Sequence, residues 1–215
     1  MPGWTEEEVT EYTAERSLSQ ADKLILSWLL ELNPFTLVEL GCGPGMIAER
    51  ALFIDRYLCT DISFGFLRAA SIARPSGLFI NCRADSLPVR ACFADCVVAM
   101  AVLHHLKPDE LAVSLGEIHR ILKPEGVFIL LEDWCFSNPA TRFEEEAGKW
   151  RFRNGQTENH LLEENWKEEL SAAGFFSREP EWVNRPFHTT TPHLLLWPNV
   201  ERTVRMMALK SFKHK

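Results

Sequence analysis

Three closely spaced glycines, followed by an aspartate at a characteristic distance, are the first part of the sequence that suggests chemistry. Segment 38–45 reads VELGCGPG, with glycine at 41, 43 and 45, and Asp61 stands twenty residues after the first glycine. Glycine destabilises an ordered strand or helix by about 0.5–1 kcal/mol, so core packing does not explain this spacing. A glycine-rich turn between a strand and a helix instead leaves backbone N–H groups accessible to a ligand. The turn therefore predicts a small-molecule site.

Carboxylates stand at the ends of two predicted strands. Asp61 ends the predicted strand 56–61, and Asp85 follows the predicted strand 78–82. Ligands of open α/β sheets bind outside the carboxyl ends of the strands. An acid at the distance of Asp61 can accept both hydroxyls of a ribose, and Asp85 can accept from an adenine amino group. Asp61 could also cap the following helix, or do both, and Asp85 could be an ordinary loop acid. The pattern indicates an adenosine site.

Two features of the glycine turn discriminate between adenosine ligands. Dinucleotide-binding turns have a small residue at the sixth position of G-x-G-x-x-G/A, where this chain has Met46. A pyrophosphate also favours nearby positive charge, yet Glu39 precedes the turn and no lysine or arginine follows before Arg50. An acid suits a ligand that carries cations and no phosphate. The turn therefore favours S-adenosylmethionine (SAM), with its ammonium and sulfonium, over NAD.

The elements that would position these residues alternate along the chain. Apolar residues at helical spacing predict helices over 4–16, 18–32, 44–52, 63–73 and 109–122. Strands are predicted at 35–40, 56–61, 78–82, 95–101 and 126–131. Several of these strands are continuous apolar runs, as in parallel sheets covered on both faces. The alternation predicts a doubly wound α/β sheet.

The alternation changes after residue 132. Residues 133–160 show no clear strand and are predicted to be a lid or a substrate-facing insertion. A helix is expected over 161–173, followed by strands at 175–183 and 193–197 and a C-terminal helix from about 199. The basic residues of that last segment predict a solvated helix rather than an RNA-binding surface; they are Arg202, Arg205, Lys210, Lys213, His214 and Lys215.

Five segments occur in an order and spacing that one enzyme family shares. They are VELGCGPG at 38–45, Asp61-Ile62-Ser63 with Leu67 and Ala70, Ala84-Asp85-Ser86 with Pro88, FADCVVAMAVLHHL at 93–106 and ILKPEGVFIL at 121–130. Together they resemble the class I SAM-dependent methyltransferases, and within these the small-molecule, type 11-like group that carries an LHH segment. The resemblance covers about residues 18–132.

The resemblance implies a fold and a domain organisation. The expected fold is a Rossmann-like, mostly parallel seven-stranded sheet with helices on both faces. One domain spans 1–215, and its expected parts are an N-terminal helical arm (1–33), a SAM-binding core (34–132), the lid (133–160) and a closing helix, strands and C-terminal helix (161–215).

Position by position, the resemblance also implies a set of SAM contacts. These are Glu39, Gly41, Cys42, Gly43 and Gly45 around the methionine part, Asp61 on the ribose, Ile62, Ala84, Asp85 and Ser86 around the adenine, the Ala101 carbonyl on the ammonium, and Arg16 on the carboxylate. Cys42 is equally explained as a small buried residue.

Methyl transfer depends mainly on positioning, and a base is needed only where the acceptor must lose a proton. His104 and His105, after the strand 95–101, are the candidate catalytic bases. The alternative is that they pack against the cofactor or a neighbouring loop. Glu132 and Asp133, at the end of another strand, could orient the acceptor or cap the following turn.

The lid contains aromatic and cationic side chains, namely Trp134, Trp150, Phe152, Arg142, Arg151 and Arg153. Aromatic rings can attract a sulfonium, and the arginines can pair with an anionic acceptor. A surface helix with internal ion pairs explains the same arginines. The sequence predicts a small, partly apolar acceptor and leaves its charge open.

Composition excludes several functional classes. The chain has 215 residues and a net charge of -7, which disfavours a nucleic-acid partner. In the family that the chain resembles, the tetrapeptide Asn/Asp-Pro-Pro-Tyr after the fourth strand marks enzymes that methylate amino groups of bases. This chain has AVLHH there instead, which also disfavours a nucleic-acid substrate. No signal peptide or membrane span is predicted. Six cysteines without a CxxC pair predict reduced thiols, no metal and a cytoplasmic location. The expected oligomeric state is a monomer or homodimer. A catalytically inactive SAM-binding subunit and, less favoured, an NAD(P) oxidoreductase remain as alternatives.

Overall fold

The computed structural model describes residues 4–133, 161, 163–186 and 203–213. Its helices are α1 (Glu6–Glu15), α2 (Gln20–Leu32), α3 (Phe64–Ala73), α4 (Pro108–Ile121) and α5 (Glu163–Ala172). Its strands are β1 (Thr36–Leu40), β2 (Arg56–Asp61), β3 (Leu78–Asn81), β4 (Ala94–Met100), β5 (Leu122–Asp133), β6 (Phe175–Ser177), β7 (Glu181–Pro186) and β8 (Thr203–Lys213). The predicted lid beyond Asp133 and the predicted strand 193–197 lie outside the described residues.

The described strands form one mixed sheet in the order β3-β2-β1-β4-β5-β8-β6. Strands β1 to β5 pair in parallel, and β8 runs antiparallel to β5. Strands β6 and β7 pair with different parts of β8 and share one position in the sheet. The eight described strands therefore occupy seven positions. The strand order reverses between β1 and β4, which makes the carboxyl ends of these two strands the expected binding crevice.

Both faces of the sheet are covered, as the apolar strands predict. On one face, Leu37 and Tyr57 pack with α2, α3 and the segment after β1. On the other face, Val38 and Phe128 pack with α4 and α5. Because β1 is buried along its whole length, it reads as a continuous apolar run except at Thr36 and Glu39. The burial of Glu39 in this strand must therefore be explained by the groups that surround it.

The helices begin and end at recognisable signals. Ser19 and Asp22 form a capping box at the start of α2, and Thr5 and Glu8 form one at the start of α1. Helix α2 ends at Asn33, which adopts a left-handed backbone with φ 44°. None of the helices described in the structure is long and apolar enough to cross a membrane.

The segment 44–52 is a series of turns, and the predicted helix there is wrong. Only some of its backbone bonds have helical spacing, such as Glu49 N–H to the Gly45 carbonyl at 2.9 Å. The carbonyls of Ala48 and Ala51, which a continuing helix would use internally, accept from the Arg74 guanidinium at 3.0 and 2.8 Å. Side-chain capping from α3 therefore replaces helical bonding.

The predicted C-terminal helix is also wrong, because residues 203–213 form strand β8 between β5 and β6–β7. Met, Ala, Leu and Lys favour helices intrinsically, and residues 207–211 are all buried, so no polar alternation marks the strand. Its lysines are not solvated: Lys210 donates to Glu31 at 2.9 Å and Lys213 to the His119 carbonyl at 2.8 Å.

Arg74, at the end of α3, holds the segment between β1 and β2. It is 2% exposed, and besides its two bonds to the turn segment it donates to the Ile54 carbonyl at 2.6 Å. Its guanidinium lies over the Tyr57 ring, 4.6 Å from the centroid. A buried cation with these partners fixes the chain between β1 and β2.

Replacing Arg74 with methionine should lower the free energy of unfolding by about 3 kcal/mol, because several buried carbonyls would lose their donor. Urea denaturation measures this change. Arg68→Met, within the helix that Arg74 ends, is the matched control, since the Arg68 side chain is 70% exposed and its loss should cost less than about 0.5 kcal/mol. Equal effects of the two substitutions would contradict the role given to Arg74.

Candidate functional site

The glycine turn at the end of β1 is shaped by close packing on one side and open space on the other. A Cβ at Gly41 would lie 2.4 Å from Cγ2 of Val102, so a side chain cannot be accommodated there. Gly43 has φ 52°, and a Cβ there would meet no atom within 4 Å. Gly45 packs against Ala70 of α3. The turn therefore approaches the chain after β4 closely and leaves the side at Gly43 open for a ligand.

Asp61 holds the end of β2 against this turn. Its Oδ2 accepts the Gly43 N–H at 2.9 Å, and its Oδ1 accepts the Ser63 N–H at 2.7 Å. Burial raises the pKa of this carboxyl, and the backbone donors oppose that rise. Each oxygen keeps a further lone pair, so Asp61 can order the turn and α3 while still accepting from a ligand hydroxyl.

Glu39 is a buried acid at the end of β1, with 4% exposure. Its Oε2 accepts the Tyr57 hydroxyl at 2.6 Å. Burial raises the pKa of Glu39 to about 8, the Tyr57 hydrogen bond opposes the rise, Asp22 and Asp61 add to it, and Arg16 opposes it. A cationic ligand group nearby would favour the ionised form.

Arg16 reaches the same region from the end of α1. Its guanidinium lies 5.4 Å from the centroid of the Tyr12 ring, and its Nη2 lies 4.0 Å from Oδ1 of Asp22. From the sequence, Arg16 is predicted to contact the ligand carboxylate, and Asp22 is not among the predicted contacts. The signal for Asp22 was present as S-x-x-D at 19–22, the pattern of a capping box.

The predicted adenine contacts lie after β2 and β3. Ile62 is 52% exposed, and its carbonyl accepts from Asn81 at 2.9 Å. Asp85 receives both Nε and Nη2 of Arg83, at 2.8 and 2.6 Å, and this pairing lowers its pKa. Ser86 is exposed and Ala84 half-buried. The adenine roles of these residues stay predictions, and Arg83 is a partner of Asp85 that the sequence analysis did not foresee.

Ala101 follows β4 directly and has a backbone conformation that alanine rarely adopts, with φ 54°. Its N–H donates to the Leu131 carbonyl at 2.8 Å. A non-glycine residue in the left-handed region is strained, and such residues cluster at ligand sites. The strained turn directs the chain toward Val102, which packs on Gly41, so the end of β4 and the glycine turn are built as one unit.

The two candidate bases differ in their surroundings. His104 is 3% exposed, and its Nδ1 lies 2.5 Å from Oε2 of Glu132. Glu132 is fully buried, and its Oε1 accepts the N–H groups of Val102 and Leu103 at 3.0 and 2.7 Å. His105 is half-buried, and its ring centroid lies 4.1 Å from that of His104. Glu132 thus orients His104 and the chain after β4.

Within the part of the chain described, the cysteines and the metal-binding residue types form neither a disulfide nor a metal site. Cys42, Cys59 and Cys96 are buried and free, Cys82 is half-buried and Cys92 is exposed. Among the described residues no group of three His, Cys, Asp or Glu is placed to hold a metal ion. The lid aromatics and arginines, from Trp134 to Arg153, lie outside the described residues.

Comparison with known proteins agrees with this geometry. Residues 38–130 match the family model described as a methyltransferase domain. The chain is 30% identical over 163 residues to trans-aconitate 2-methyltransferase of Azoarcus sp. strain BH72, covering 71% of this chain and 60% of that protein. It covers a smaller share of four other curated proteins that it matches.

Two solved structures show the same fold. The YcgJ protein of Bacillus subtilis superimposes with a TM-score of 0.75 at 15% identity, over 91% of this chain and 98% of that one. The 1,6-didemethyltoxoflavin-N1-methyltransferase of Burkholderia thailandensis, crystallised with 1,6-didemethyltoxoflavin and S-adenosylhomocysteine, gives 0.66 at 18% identity, over 91% of this chain and 78% of that one. Residues 38–130 thus match a methyltransferase domain, and the glycine turn between two strand-end acids and the sheet order agree with that match.

Proposed function

We propose that this protein transfers a methyl group from SAM to a small-molecule acceptor. The observation that carries the proposal is the buried acid Glu39 beside the glycine turn, with Asp61 on the other side of that turn. Two acids disfavour a pyrophosphate and favour a ligand that brings positive charge. SAM supplies a methyl group already activated on a sulfonium, with a neutral thioether as leaving group.

The residues present fit such a ligand. The open side at Gly43 leaves room for close approach, and Asp61 retains acceptor capacity for ribose hydroxyls. Arg16 offers a positive charge to the carboxylate of an amino-acid end, and Glu39 ionises when a cationic ligand group lies beside it. Ile62 offers an exposed apolar surface beside the predicted adenine position. Segment 39–49 contains no lysine or arginine that could pair with the phosphates of a dinucleotide.

The identity of the acceptor is proposed at the level of its class. Trans-aconitate and 1,6-didemethyltoxoflavin, named for two similar proteins, are small molecules. Because those proteins are named as methyltransferases, an enzyme is favoured over a catalytically inactive SAM-binding subunit. We also propose a cytoplasmic location, supported by the free cysteines among the described residues.

His104 is the proposed general base where the acceptor must lose a proton. Glu132 holds its Nδ1, which fixes the ring plane and makes Nε2 the nitrogen that would accept the proton. Because Glu132 is itself held by two backbone N–H groups, the ring orientation is set before the acceptor binds. The His105 ring packs beside that of His104, with the two ring centroids 4.1 Å apart.

The cofactor assignment is tested by titrating the protein with S-adenosylhomocysteine (SAH) and with NAD⁺ in a calorimeter. SAH should bind with a micromolar Kd and raise the Tm, while NAD⁺ should produce neither effect. Asp61→Ala should weaken SAH at least about tenfold, since a charged acceptor of ligand hydroxyls is removed. Binding of NAD⁺ without binding of SAH would overturn the assignment.

The raised pKa of Glu39 predicts that cofactor binding depends on pH. With a pKa of about 8 in the free protein, about nine tenths of the Glu39 carboxyls are protonated at pH 7. A bound cation favours the carboxylate, so binding should release close to one proton and SAM affinity should rise with pH between 6 and 7.5. Calorimetry at pH 7 in buffers of different ionisation enthalpy measures the number of protons that the protein releases when SAM binds.

Glu39→Gln is the matched variant for this measurement, because it keeps the shape and cannot ionise. It should bind SAM without proton release and with no rise in affinity over the same pH interval. Proton release of equal size in the variant would assign the effect to another group and contradict this account of Glu39.

Activity is tested by following SAH formation with a panel of small carboxylic acids, phenols and amines. With an acceptor that must be deprotonated, His104→Ala should lower kcat by about 10²-fold or more and leave the Kd of SAH within about twofold. His105→Ala is the neighbouring control and should retain most of kcat. A kcat for His104→Ala equal to that of the control would reject His104 as the base.

A further inference from the structure

We infer that the methyl acceptor carries a weakly acidic hydroxyl group, as in a phenol or an enol, and that Glu132 is the positioning residue that lets His104 take the proton of that group. This inference rests on the proposed methyl transfer and names the acceptor class of the same site. Glu132 lies near the end of β5 and belongs neither to the glycine turn nor to the predicted SAM contacts.

The first observation concerns the groups that the two oxygens of Glu132 contact. The side chain is fully buried. Its Oε1 accepts the N–H groups of Val102 and Leu103 at 3.0 and 2.7 Å, and its Oε2 lies 2.5 Å from Nδ1 of His104. Because a carboxylate only accepts hydrogen bonds, Nδ1 carries the hydrogen and the lone pair of the neutral ring is on Nε2. Glu132 therefore holds His104 in the tautomer of a base.

The second observation places this carboxylate and the imidazole beside the glycine turn. The Ala101 N–H, directly after β4, donates to the Leu131 carbonyl at 2.8 Å, so the next residue of β5, Glu132, lies beside the chain that leaves β4. Val102, whose N–H Glu132 accepts, occupies the space that a Cβ at Gly41 would need. The imidazole follows two residues later. One carboxylate thus fixes both the contact with the glycine turn and the orientation of the ring.

A carboxylate–imidazole pair suits an acceptor that must lose a proton as it attacks. The hydroxyl proton passes to Nε2 of His104 while a lone pair of the hydroxyl oxygen forms the bond to the methyl carbon. The carbon–sulfur bond breaks, and its electron pair stays on the sulfur of SAH. Glu132 stabilises the imidazolium that results. A phenolic hydroxyl has a pKa of about 10, which is close enough to that of histidine for proton transfer during the attack.

Other acceptor groups have less use for this pair. A carboxylate is already ionised near neutral pH and has no proton to lose. Its charge would also be repelled by that of Glu132, and segment 101–106 contains no lysine or arginine to offset it. A neutral amine attacks through its own lone pair and loses its proton after the methyl group has been transferred. The arrangement therefore favours a hydroxyl oxygen as the methylated atom.

The test compares two acceptors that differ in acidity, phenol and 4-nitrophenol, in mildly alkaline buffer. Phenol keeps its proton there, whereas 4-nitrophenol is largely ionised and needs no base. Glu132→Gln retains a carbonyl oxygen for the two backbone N–H groups, but its amide N–H faces Nδ1 of His104 and forces the hydrogen onto Nε2. The variant should lower kcat with phenol about 10²-fold or more and with 4-nitrophenol less than about fivefold. The Kd of SAH, measured by calorimetry, should stay within about twofold.

Glu117→Gln is the matched control for this substitution. Glu117 also accepts a backbone N–H, that of Leu87 at 2.9 Å, and lies in the second half of α4. The control should retain its kcat with both acceptors.

A second readout does not depend on turnover. In mildly acidic buffer, where free 4-nitrophenol keeps its proton, 4-nitrophenol bound together with SAH should show phenolate absorption in the wild-type protein. Glu132→Gln should lose that absorption, and an unchanged spectrum in the variant would contradict the role of Glu132.

The outcomes separate the acceptor class from the cofactor site. An equal loss of kcat with both phenols in Glu132→Gln, or no loss with phenol, would overturn the inference. A wild-type protein that binds SAH but methylates no hydroxyl acceptor, or methylates only aniline or benzoate, would overturn the acceptor class and leave the SAM site intact. No binding of SAH would instead overturn the proposed cofactor. If Glu132→Gln does not fold, His104→Ala replaces it with the same two acceptors, and an equal loss with both would overturn the inference.

Discussion

The hydrogen bond from the Gly43 N–H to Asp61 is the contact on which the rest of the crevice depends. It joins the turn after β1 to the end of β2, and the Cys42 N–H adds a second bond to the Thr60 carbonyl at 3.0 Å. Val102 closes on Gly41 from the end of β4. Three strand ends are therefore held together before any ligand binds. Such a site binds its ligand with little conformational cost, because its backbone groups are already oriented.

Much of this arrangement could be predicted from the sequence because its signals are local. The positive φ values at 41, 43 and 45 require glycine, and parallel strands buried on both faces read as apolar runs. The parallel pairing of β1 to β5 and the presence of Asp61 at a strand end follow from that pattern. For the same reason, the first two helices and their boundaries were predicted to within two residues.

The parts that were missed depend on contacts distant in sequence. Segment 44–52 has helical composition, but Arg74, on another helix, takes the carbonyls that would continue a helix. Strand β8 has strong helix formers, and only its position between β5 and β6–β7 makes it a strand. The pairing of Asp85 with Arg83 and of His104 with Glu132 required knowledge of side-chain direction. Tertiary context overrides propensity at these positions.

Electrostatics links the N-terminal arm to the crevice. Glu39 and Asp22 are buried and Asp61 nearly so, and Arg16 is the nearby cation among the charges that act on Glu39. Burial raises the pKa of both Glu39 and Asp61, and at Glu39 the negative charges of Asp22 and Asp61 add to the rise. A ligand with two cationic groups and one carboxylate reduces the repulsion among these acids more than a neutral nucleoside does. Under the proposed function, the energetic cost of keeping these acids together in the free protein contributes to the selectivity for a cationic ligand.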